Sequence, residues 1–283
     1  MMLWALFFLG CHHPEPDPGV APTPKQVDTN LLRFIAIGDS GHINQSQRSV
    51  AVAAGKVCRE RGCDFGLLLG DNLYAEGMAS ADDIRMDQAT VDMYGNLGFP
   101  FYMVLGNHDY GWKHQVEPAL WQVDWANRTE GFHLPKRTYT FSAGPAAFWA
   151  LDTDTVFWEG HTGHAAWLSK SVAASKAQWK VVFGHHPFRS NGRHGNAGNY
   201  DGVPLPYVRG RPLEKFFEGE LCGKVDFYLS GHDHALQWIR HCGVELVVSG
   251  AGSAPTPLVD RGNDPEYSAS MLGFSWIELR PDG

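Results

Sequence analysis

The sequence has no run of basic residues. Its 23 lysines and arginines are outnumbered by 31 aspartates and glutamates, which gives a formal net charge of −8. Proteins that bind nucleic acid or an anionic membrane surface by charge carry clustered Lys and Arg, so we expect neither partner. The negative charge does not exclude an anionic substrate, because bound metal ions can dominate the local field of a pocket.

Cysteine is scarce, with 5 in 283 residues, and none lies in the CxxC pattern of many metal and redox sites. Beyond Cys11 an even number remains, which fits an oxidising compartment; in the cytosol all four would be reduced thiols. Three pairings of these four are possible, and the sequence does not choose among them. Local spacing favours Cys58 with Cys63 and Cys222 with Cys242.

The apolar run at residues 1–11 is too short to span a bilayer. It resembles a bacterial lipoprotein signal in which Cys11 would be lipidated, although no Lys or Arg precedes it and Phe8 stands where an aliphatic residue is usual. Residues 12–30 are polar and rich in proline, so we predict a tether there. We therefore expect export to the periplasm or to the outer membrane or cell surface, with membrane anchoring through Cys11.

No internal linker or repeat follows residue 30, so residues 31–283 are predicted to form one catalytic domain. Apolar runs alternate with helix-like segments, which indicates an α/β fold with parallel strand pairing. Strands are predicted at 31–37, 65–69, 100–105, 179–183 and 225–230, an antiparallel pair at 137–141 and 147–151, and later strands at 235–240, 244–249 and 273–279. Helices are predicted at 46–61, about 81–94, 163–175 and 211–221, and a long loop at 189–208.

Five of these strands end in glycine followed by a side chain that can bind a metal. These side chains are Asp39, Asp71, Asn107, His185, and His232 with His234. Any one such turn is a weak signal, since Gly-Asp turns and paired histidines are common in surface loops. Ligands of α/β sheets bind at the carboxyl ends of the strands, so the sequence predicts that all six side chains share one rim.

Two carboxylates, one amide and three histidines are more donors than one ion needs, and they suit two ions a few ångströms apart. Tyr74, three residues after Asp71, adds a phenol. A phenol with a pKa near 10 is a poor ligand for most divalent ions, whereas a trivalent iron would deprotonate it. The alternative is that Tyr74 is a core aromatic residue.

The turn sequences resemble, in order, the five blocks of the metallophosphoesterases. They are Gly-Asp-Ser-Gly at 38–41, Gly-Asp-Asn-Leu-Tyr at 70–74, Gly-Asn-His-Asp at 106–109, Gly-His-His-Pro at 184–187 and Gly-His-Asp-His at 231–234. Tyr74 and the sequence of residues 229–237 resemble those of the tartrate-resistant, purple acid phosphatase branch. The resemblance implies a four-layer fold, with two stacked mixed β-sheets flanked by helices.

The resemblance also implies a ligand set. Fe3+ would be held by Asp39, Tyr74, His234 and a bridging Asp71. The second ion, which is Fe2+, Zn2+ or Mn2+, would be held by Asp71, Asn107, His185 and His232. Ions of +3 and +2 less two carboxylates and a phenolate leave a local charge of about +2, which attracts phosphate.

The activity implied is that of an acid phosphatase, a metal-dependent phosphoric ester hydrolase. By this resemblance, a hydroxide activated by the metals would attack the phosphorus of a small phosphomonoester in line, without a phospho-enzyme. His108 and His194 are the candidates for the general acid and for positioning the phosphate. Asp109 is expected to orient His108, and His186 to line the pocket. His42, His114, His133, His161, His164 and His241 have no motif support and are expected to be surface or satisfied histidines.

Two other functions fit the same residues. A phosphodiesterase or nucleotide hydrolase would use the same metals, and a metal-binding surface lipoprotein would use them without turnover. The sequence leaves open the physiological substrate, the second metal, the preference for monoesters or diesters and the oligomeric state.

Overall fold

The computed structural model describes residues 18–25, 31–111, 114–160, 162–202 and 209–280. Its strands are β1 Gly19–Val20, β2 Leu32–Ile37, β3 Phe65–Leu69, β4 Phe101–Val104, β5 Phe132–His133, β6 Tyr139–Ala143, β7 Ala146–Ala150, β8 Trp179–Phe183, β9 Phe227–Ser230, β10 Leu236–His241, β11 Val244–Ser249, β12 Pro265–Ala269 and β13 Ser275–Leu279. Its helices are α1 Gln45–Arg61, α2 Arg85–Ala89, α3 Val91–Tyr94, α4 Val116–Arg128, α5 Thr153–Glu159, α6 Thr162–Ala174 and α7 Arg211–Glu220.

The strands form two mixed sheets. One has the order β13-β2-β3-β4-β5, in which β2 to β5 pair in parallel and β13 is antiparallel to β2. The other has the order β1-β6-β7-β8-β9-β11-β10-β12, with β7, β8, β9 and β11 parallel at its centre. Parallel strands bring their carboxyl ends to the same edge, so this topology gathers the predicted turns of each sheet on one side.

Aromatic side chains fill the space between the sheets. The ring of Phe65 on β3 meets Phe141 and Phe148, on β6 and β7, edge to face at 5.5 and 5.4 Å between centroids. Tyr102 on β4 stacks on Phe141 at 3.8 Å. All four are buried, and truncating such a ring to alanine costs about 3–5 kcal/mol. The two sheets therefore share one continuous core.

Helices cover the outer faces. Val50 and Ala54 of α1 and Tyr94 of α3 are buried in the core that contains the five-stranded sheet. Helices α5, α6 and α7 contribute to a second buried cluster, which includes Leu168 and Phe216, on the eight-stranded sheet. The layers are helix, sheet, sheet, helix, which confirms the predicted α/β architecture with two mixed sheets flanked by helices.

Two expectations about local structure are wrong. The helix predicted over about 81–94 is interrupted at Thr90, whose φ of −121° leaves helical geometry and whose hydroxyl bonds to the Met86 carbonyl at 2.6 Å. Part of the predicted tether also packs on the domain. Gly19–Val20 pairs with β6, Ala21 is buried, and the Tyr102 hydroxyl donates to the Pro22 carbonyl. Residues 1–17 and 26–30, including Cys11 and the predicted signal, lie outside the described residues.

Candidate metal centre

Each predicted metal-binding turn lies at the carboxyl end of a strand. Asp39 follows β2, Asp71 follows β3, and His232 follows β9. All three have positive φ angles, of 55°, 53° and 67°. Residues other than glycine rarely take this left-handed conformation, and such strained positions cluster at functional sites. The turns thus direct these side chains to the rim.

One group of donors converges around the Tyr74 hydroxyl. It donates to Asp71 Oδ2 at 2.8 Å and lies 3.2 Å from Asp39 Oδ1 and 3.2 Å from His234 Nε2. His234 Nε2 is also 3.4 Å from Asp39 Oδ1. These four residues are the ones expected to hold the trivalent ion.

A second group converges around His185 Nε2. Asn107 Oδ1 lies 3.1 Å from it, His232 Nδ1 3.2 Å, and Asp71 Oδ1 3.4 Å. The two carboxylate oxygens of Asp71 therefore face different groups, Oδ2 towards Tyr74 and Oδ1 towards His185. This places Asp71 between two donor sets, the position of a bridging ligand.

The protonation pattern fits a cation in the second group. Asn107 Oδ1 and Asp71 Oδ1 are acceptors, and His185 Nδ1 lies 2.9 Å from the Leu69 carbonyl, to which it donates. In the neutral ring Nε2 then carries a lone pair and faces the lone pairs of Asn107 Oδ1 and Asp71 Oδ1, with no proton between them. Burial and the nearby His194 and His186 rings lower the pKa of His232 well below its ordinary value, so that ring is a neutral donor, the form that binds metals.

The carboxylates of the site favour positive charge on the neighbouring groups. Burial opposes a charged imidazole, but the carboxylates of Asp71 and Asp39 outweigh it at His185 and raise the pKa of that ring. The Asp39 carboxylate does the same for His234 and raises its pKa to about 9. Donor atoms of Asp39, Asp71 and His185 all lie within 4.8 Å of one another. The chemistry of this donor set therefore fits the metal ions that the sequence predicts.

Tyr74 is held as a phenol by its surroundings. Burial, with the Asp39 and Asp71 carboxylates, raises its pKa well above the ordinary value. A strongly polarising ion, such as a trivalent one, would favour loss of that proton. The ring also stacks on His42 at 3.8 Å and contacts His108 at 4.6 Å. Tyr74 is thus part of the site and not of the hydrophobic core.

Two glycines allow the donors to approach. A Cβ at Gly106 would lie 2.2 Å from Asp71 Oδ1, and a Cβ at Gly231 would lie 2.5 Å from Asp39 Oδ2. Neither distance is compatible with a side chain, so these positions require glycine because of contact with the carboxylates.

His108 lies at the exposed side of the site. Its backbone N–H donates to Asp71 Oδ1 at 3.0 Å, Nδ1 is 2.6 Å from the Ala75 carbonyl, and Nε2 is 4.0 Å from Asp71 Oδ2. Its side chain is 38% exposed. A carbonyl can only accept, so Nδ1 carries the proton in the neutral ring and Nε2 faces the carboxylate.

The expectation that Asp109 orients the His108 ring is wrong. The buried Asp109 carboxylate instead accepts from Gly106 N at 2.8 Å, Asn72 N at 3.0 Å and Gln122 Nε2 at 2.7 Å. Burial, with the Asp71 charge, raises its pKa to about 6. Asp109 therefore joins the backbone of the β3 and β4 turns, and its effect on the site passes through the main chain.

His194 lies over the second donor group. Its ring is 4.3 Å from that of His232, and its backbone N–H donates to Asp233 Oδ1 at 2.7 Å. Asp233 is fully buried and stands in the sequence between His232 and His234, which are predicted to bind metal; its Oδ2 accepts from Gly195 N at 3.0 Å. No role was predicted for Asp233, and its place inside the Gly-His-Asp-His turn is the one signal of it in the sequence.

His186 is buried and lies beside the ligands. Its ring stacks on Phe157 at 5.5 Å, and Nδ1 is 3.0 Å from Thr153 Oγ1. The same hydroxyl accepts from the backbone N–H of His185 at 3.2 Å. Burial, with the charge of His185, lowers the pKa of His186 well below its ordinary value. Thr153, which has no sequence motif, thus fixes the turn that carries His185.

A pocket of about 160 Å³ opens beside the second donor group. Its wall includes Asn107, His186, His194, His232, Asp154 and the aromatic residues Phe157, Trp158 and Tyr200. Asp154 is buried and lies 2.5 Å from His114 Nδ1. His186 lines this pocket, and His114 is paired with the Asp154 carboxylate.

Two disulfides lie away from the site. Cys58–Cys63 closes the end of α1, and Cys222–Cys242 joins the chain after α7 to the β10–β11 turn. This is the pairing that local spacing favours.

The sequence and the fold were compared with known proteins. Residues 32–236 match the family model of the calcineurin-like phosphoesterases. The chain is 30% identical to purple acid phosphatase 3 of Arabidopsis thaliana over 86% of this chain and 68% of that protein. It is 27% identical to tartrate-resistant acid phosphatase type 5 of Sus scrofa over 93% of this chain and 84% of that one.

Solved structures share the fold. GAP50, the anchor in the inner membrane complex of Plasmodium, superposes with a TM-score of 0.71 at 22% identity, over 89% of this chain and 82% of that one. A dimetal phosphatase from Danio rerio gives 0.55 at 14% identity, over 89% and 99%. The family model covers most of the domain and its metal-binding turns. The chain therefore belongs to the calcineurin-like phosphoesterase family, and its relatives place it in the purple acid phosphatase branch.

Proposed function

We propose that this protein is a dinuclear-metal acid phosphatase that hydrolyses small phosphomonoesters. The observation that carries the proposal is the position of Asp71, whose two carboxylate oxygens face two separate donor groups. A shared carboxylate between two such groups is the arrangement of a two-metal site that clamps both the attacking and the leaving oxygen of a phosphoryl group. Membership of the family agrees with a metal-dependent phosphoric ester hydrolase.

The ligands we assign follow the two groups. Asp39, Tyr74, His234 and Asp71 would hold Fe3+; Asp71, Asn107, His185 and His232 would hold Fe2+, Zn2+ or Mn2+. When bound, these ions supply an activated water and positive charge for the phosphoryl oxygens. The phenol supports iron at the first position, because a trivalent ion polarises a phenol strongly enough to hold it as a phenolate.

Two histidines face the space where an ester would bind. The Nδ1–H of His108 is directed to the Ala75 carbonyl, which leaves Nε2 on the side of Asp71. His194 lies over His232, on the wall of the pocket. We assign to these two rings the protonation of the leaving oxygen and the positioning of the phosphate. Because Nδ1 of His108 already carries a proton, Nε2 can give one to the leaving oxygen only from the imidazolium, so we expect the reaction to be favoured at acidic pH.

We also propose that the protein is exported. Two disulfides are expected in an oxidising compartment, and they are rare in the cytosol. The apolar run before Cys11 is the second support, as a lipoprotein-like signal. None of the helices within the described residues has the length and hydropathy that crossing a bilayer requires. Lipidation of Cys11 would be tested by mass spectrometry of the mature N-terminus.

The function is tested by hydrolysis of p-nitrophenyl phosphate and of bis(p-nitrophenyl) phosphate by metal-loaded protein. We expect kcat/KM to favour the monoester at acidic pH. Preference for the diester would instead identify a phosphodiesterase, and no turnover on a broad ester panel would favour a non-catalytic metal-binding protein. Asp39→Asn, which removes one ligand charge, should abolish activity, whereas Asp260→Asn, on an exposed loop, should not.

A further inference from the structure

His194 lies in a loop, so no helix or strand fixes its position. The described residues between β8 and α7 include neither helix nor strand, and His194 is only partly buried. A group that acts on substrate must keep its geometry to within a fraction of an ångström. The loop therefore needs tertiary contacts on both sides of His194.

Arg261, on the loop between β11 and β12, provides such contacts. Its Nε donates to the Gly192 carbonyl at 2.8 Å and its Nη2 to the Arg193 carbonyl at 2.5 Å. Nη2 also lies 2.8 Å from Asp201 Oδ2. The Arg261 side chain is 14% exposed and that of Asp201 57%, so the two carbonyl contacts hold the guanidinium while solvent screens part of the ion pair. One guanidinium thus joins the two residues before His194 to a residue seven positions after it.

The Asp201 end of this clamp also contacts the ring of His194. His194 Nδ1 lies 3.3 Å from the Asp201 carbonyl oxygen. A carbonyl can only accept, so this contact uses the proton on Nδ1 and leaves Nε2 for substrate, where Nε2 accepts in the neutral ring and donates in the imidazolium. The Arg261 guanidinium also lies against Gly195, where a Cβ would be 2.6 Å from Nε. With Asp233 behind the backbone N–H, the ring is fixed over His232.

We propose that Arg261 is a positioning residue for His194, which sets both the place and the tautomer of that ring. The inference rests on the role proposed for His194 at the metal centre. Arg261 itself does not touch the metal-binding side chains in any described contact, and its charge is opposed by Asp201. Its effect should therefore be visible only through His194.

A double-mutant cycle tests this. Arg261→Ala should lower kcat about tenfold on poor leaving groups such as phenyl phosphate, and should change the same kinetic parameter and the same limb of the pH profile as His194→Ala. In the His194→Ala background it should have less than about a twofold effect. Arg261→Lys, which cannot bridge three acceptors in one plane, should restore activity only in part. Equal effects in both backgrounds would refute the proposal.

A matched control and a readout independent of turnover separate this proposal from the proposed function. Arg240→Ala removes an exposed arginine that pairs with the carboxylates of Glu245 and Glu266, away from His194, and should leave kcat and the pH profile unchanged. Nitrogen-15 NMR of the His194 ring in the zinc-loaded protein should show one Nδ1–H tautomer, and a mixture in Arg261→Ala. If the tautomer is unchanged, the inference fails even when the protein is active. If there is no turnover but the tautomer changes, only the proposed function fails.

Discussion

The Tyr74 hydroxyl donates to Asp71 Oδ2 at 2.8 Å, while the other Asp71 oxygen faces away from it. The two donor groups therefore meet at a single carboxylate. Asp71 therefore differs from the other expected ligands, because its removal should affect both metal positions at once.

Replacing Asp71 should therefore lower the number of bound metal ions per chain more than replacing any ligand that belongs to one group. We expect Asp71→Asn to lose both ions, since an amide offers one oxygen and no charge, and His232→Ala to lose only the second. Metal analysis of purified variants by mass spectrometry checks this. Retention of both ions by Asp71→Asn would show that Asp71 is not shared. His241→Ala, a histidine outside the site, serves as the control.

Gly106→Ala should empty the site without a change in any ligand. Gly106 has a φ of −108°, so alanine suits its backbone, but the new Cβ would lie 2.2 Å from Asp71 Oδ1 and 2.4 Å from Asp71 N. We expect lost metal and lost activity in a folded protein, measured by metal analysis and circular dichroism. In the control, Gly219→Ala, no atom lies within 4 Å, and the helix should gain up to about 1 kcal/mol. Normal metal content in Gly106→Ala would contradict the geometry.

The Asp83–Arg85 pair should make stability depend on pH in the acid range. The hydrogen bonds from Arg85 lower the pKa of Asp83 to about 2, from an ordinary value of 3.8. Because the folded value is the lower one, the stabilisation is present above pH 3.8 and disappears as the pH falls towards 2.

The Arg85 side chain is 40% exposed, so solvent screening limits this stabilisation to roughly 1 kcal/mol. The difference in unfolding free energy between the wild type and Asp83→Asn should shrink from pH 5 to pH 2 in urea titrations. A difference that grows towards acid would reverse the sign we assign. Asp82→Asn, at a side chain that is 87% exposed, is the control and should change little.

The two disulfides should contribute unequally to the free energy of unfolding. Cys222–Cys242 spans a sequence separation of 20 and Cys58–Cys63 one of 5. From loop entropy we expect about 3 kcal/mol from the first and about 2 kcal/mol from the second. Paired alanine substitutions, measured by chemical denaturation, check this order. Equal losses, or a larger loss from the short loop, would contradict it.

The sequence predicted the strands that carry the site because each is a short apolar run stopped by glycine. The same pattern placed Asp39, Asp71 and His232 at strand ends, where the structure brings them together. Helix α4 was not predicted, although Ala119, Val123 and Ala126 follow a helical period; Pro118 lies in its first turn, where no intrahelical N–H bond is lost.

Other parts of the site depend on tertiary contacts that no local pattern contains. Asp233 and Thr153 act on backbone N–H groups of distant turns. The Gly192 carbonyl that accepts from Arg261 lies some seventy residues away in the sequence. The stacking of His42 on Tyr74 likewise joins two loops, so its proximity to the site could not be predicted from its neighbours in the chain.

The most direct measurement of the two-ion claim is a visible spectrum combined with metal analysis of the purified protein. We predict two ions per chain, one of them iron, and a purple tyrosinate–iron absorption band that is lost in Tyr74→Phe and kept in Tyr267→Phe, at an exposed side chain. A colourless, fully active protein that holds only manganese or zinc would contradict the role of Tyr74. A single ion per active chain would contradict the account as a whole.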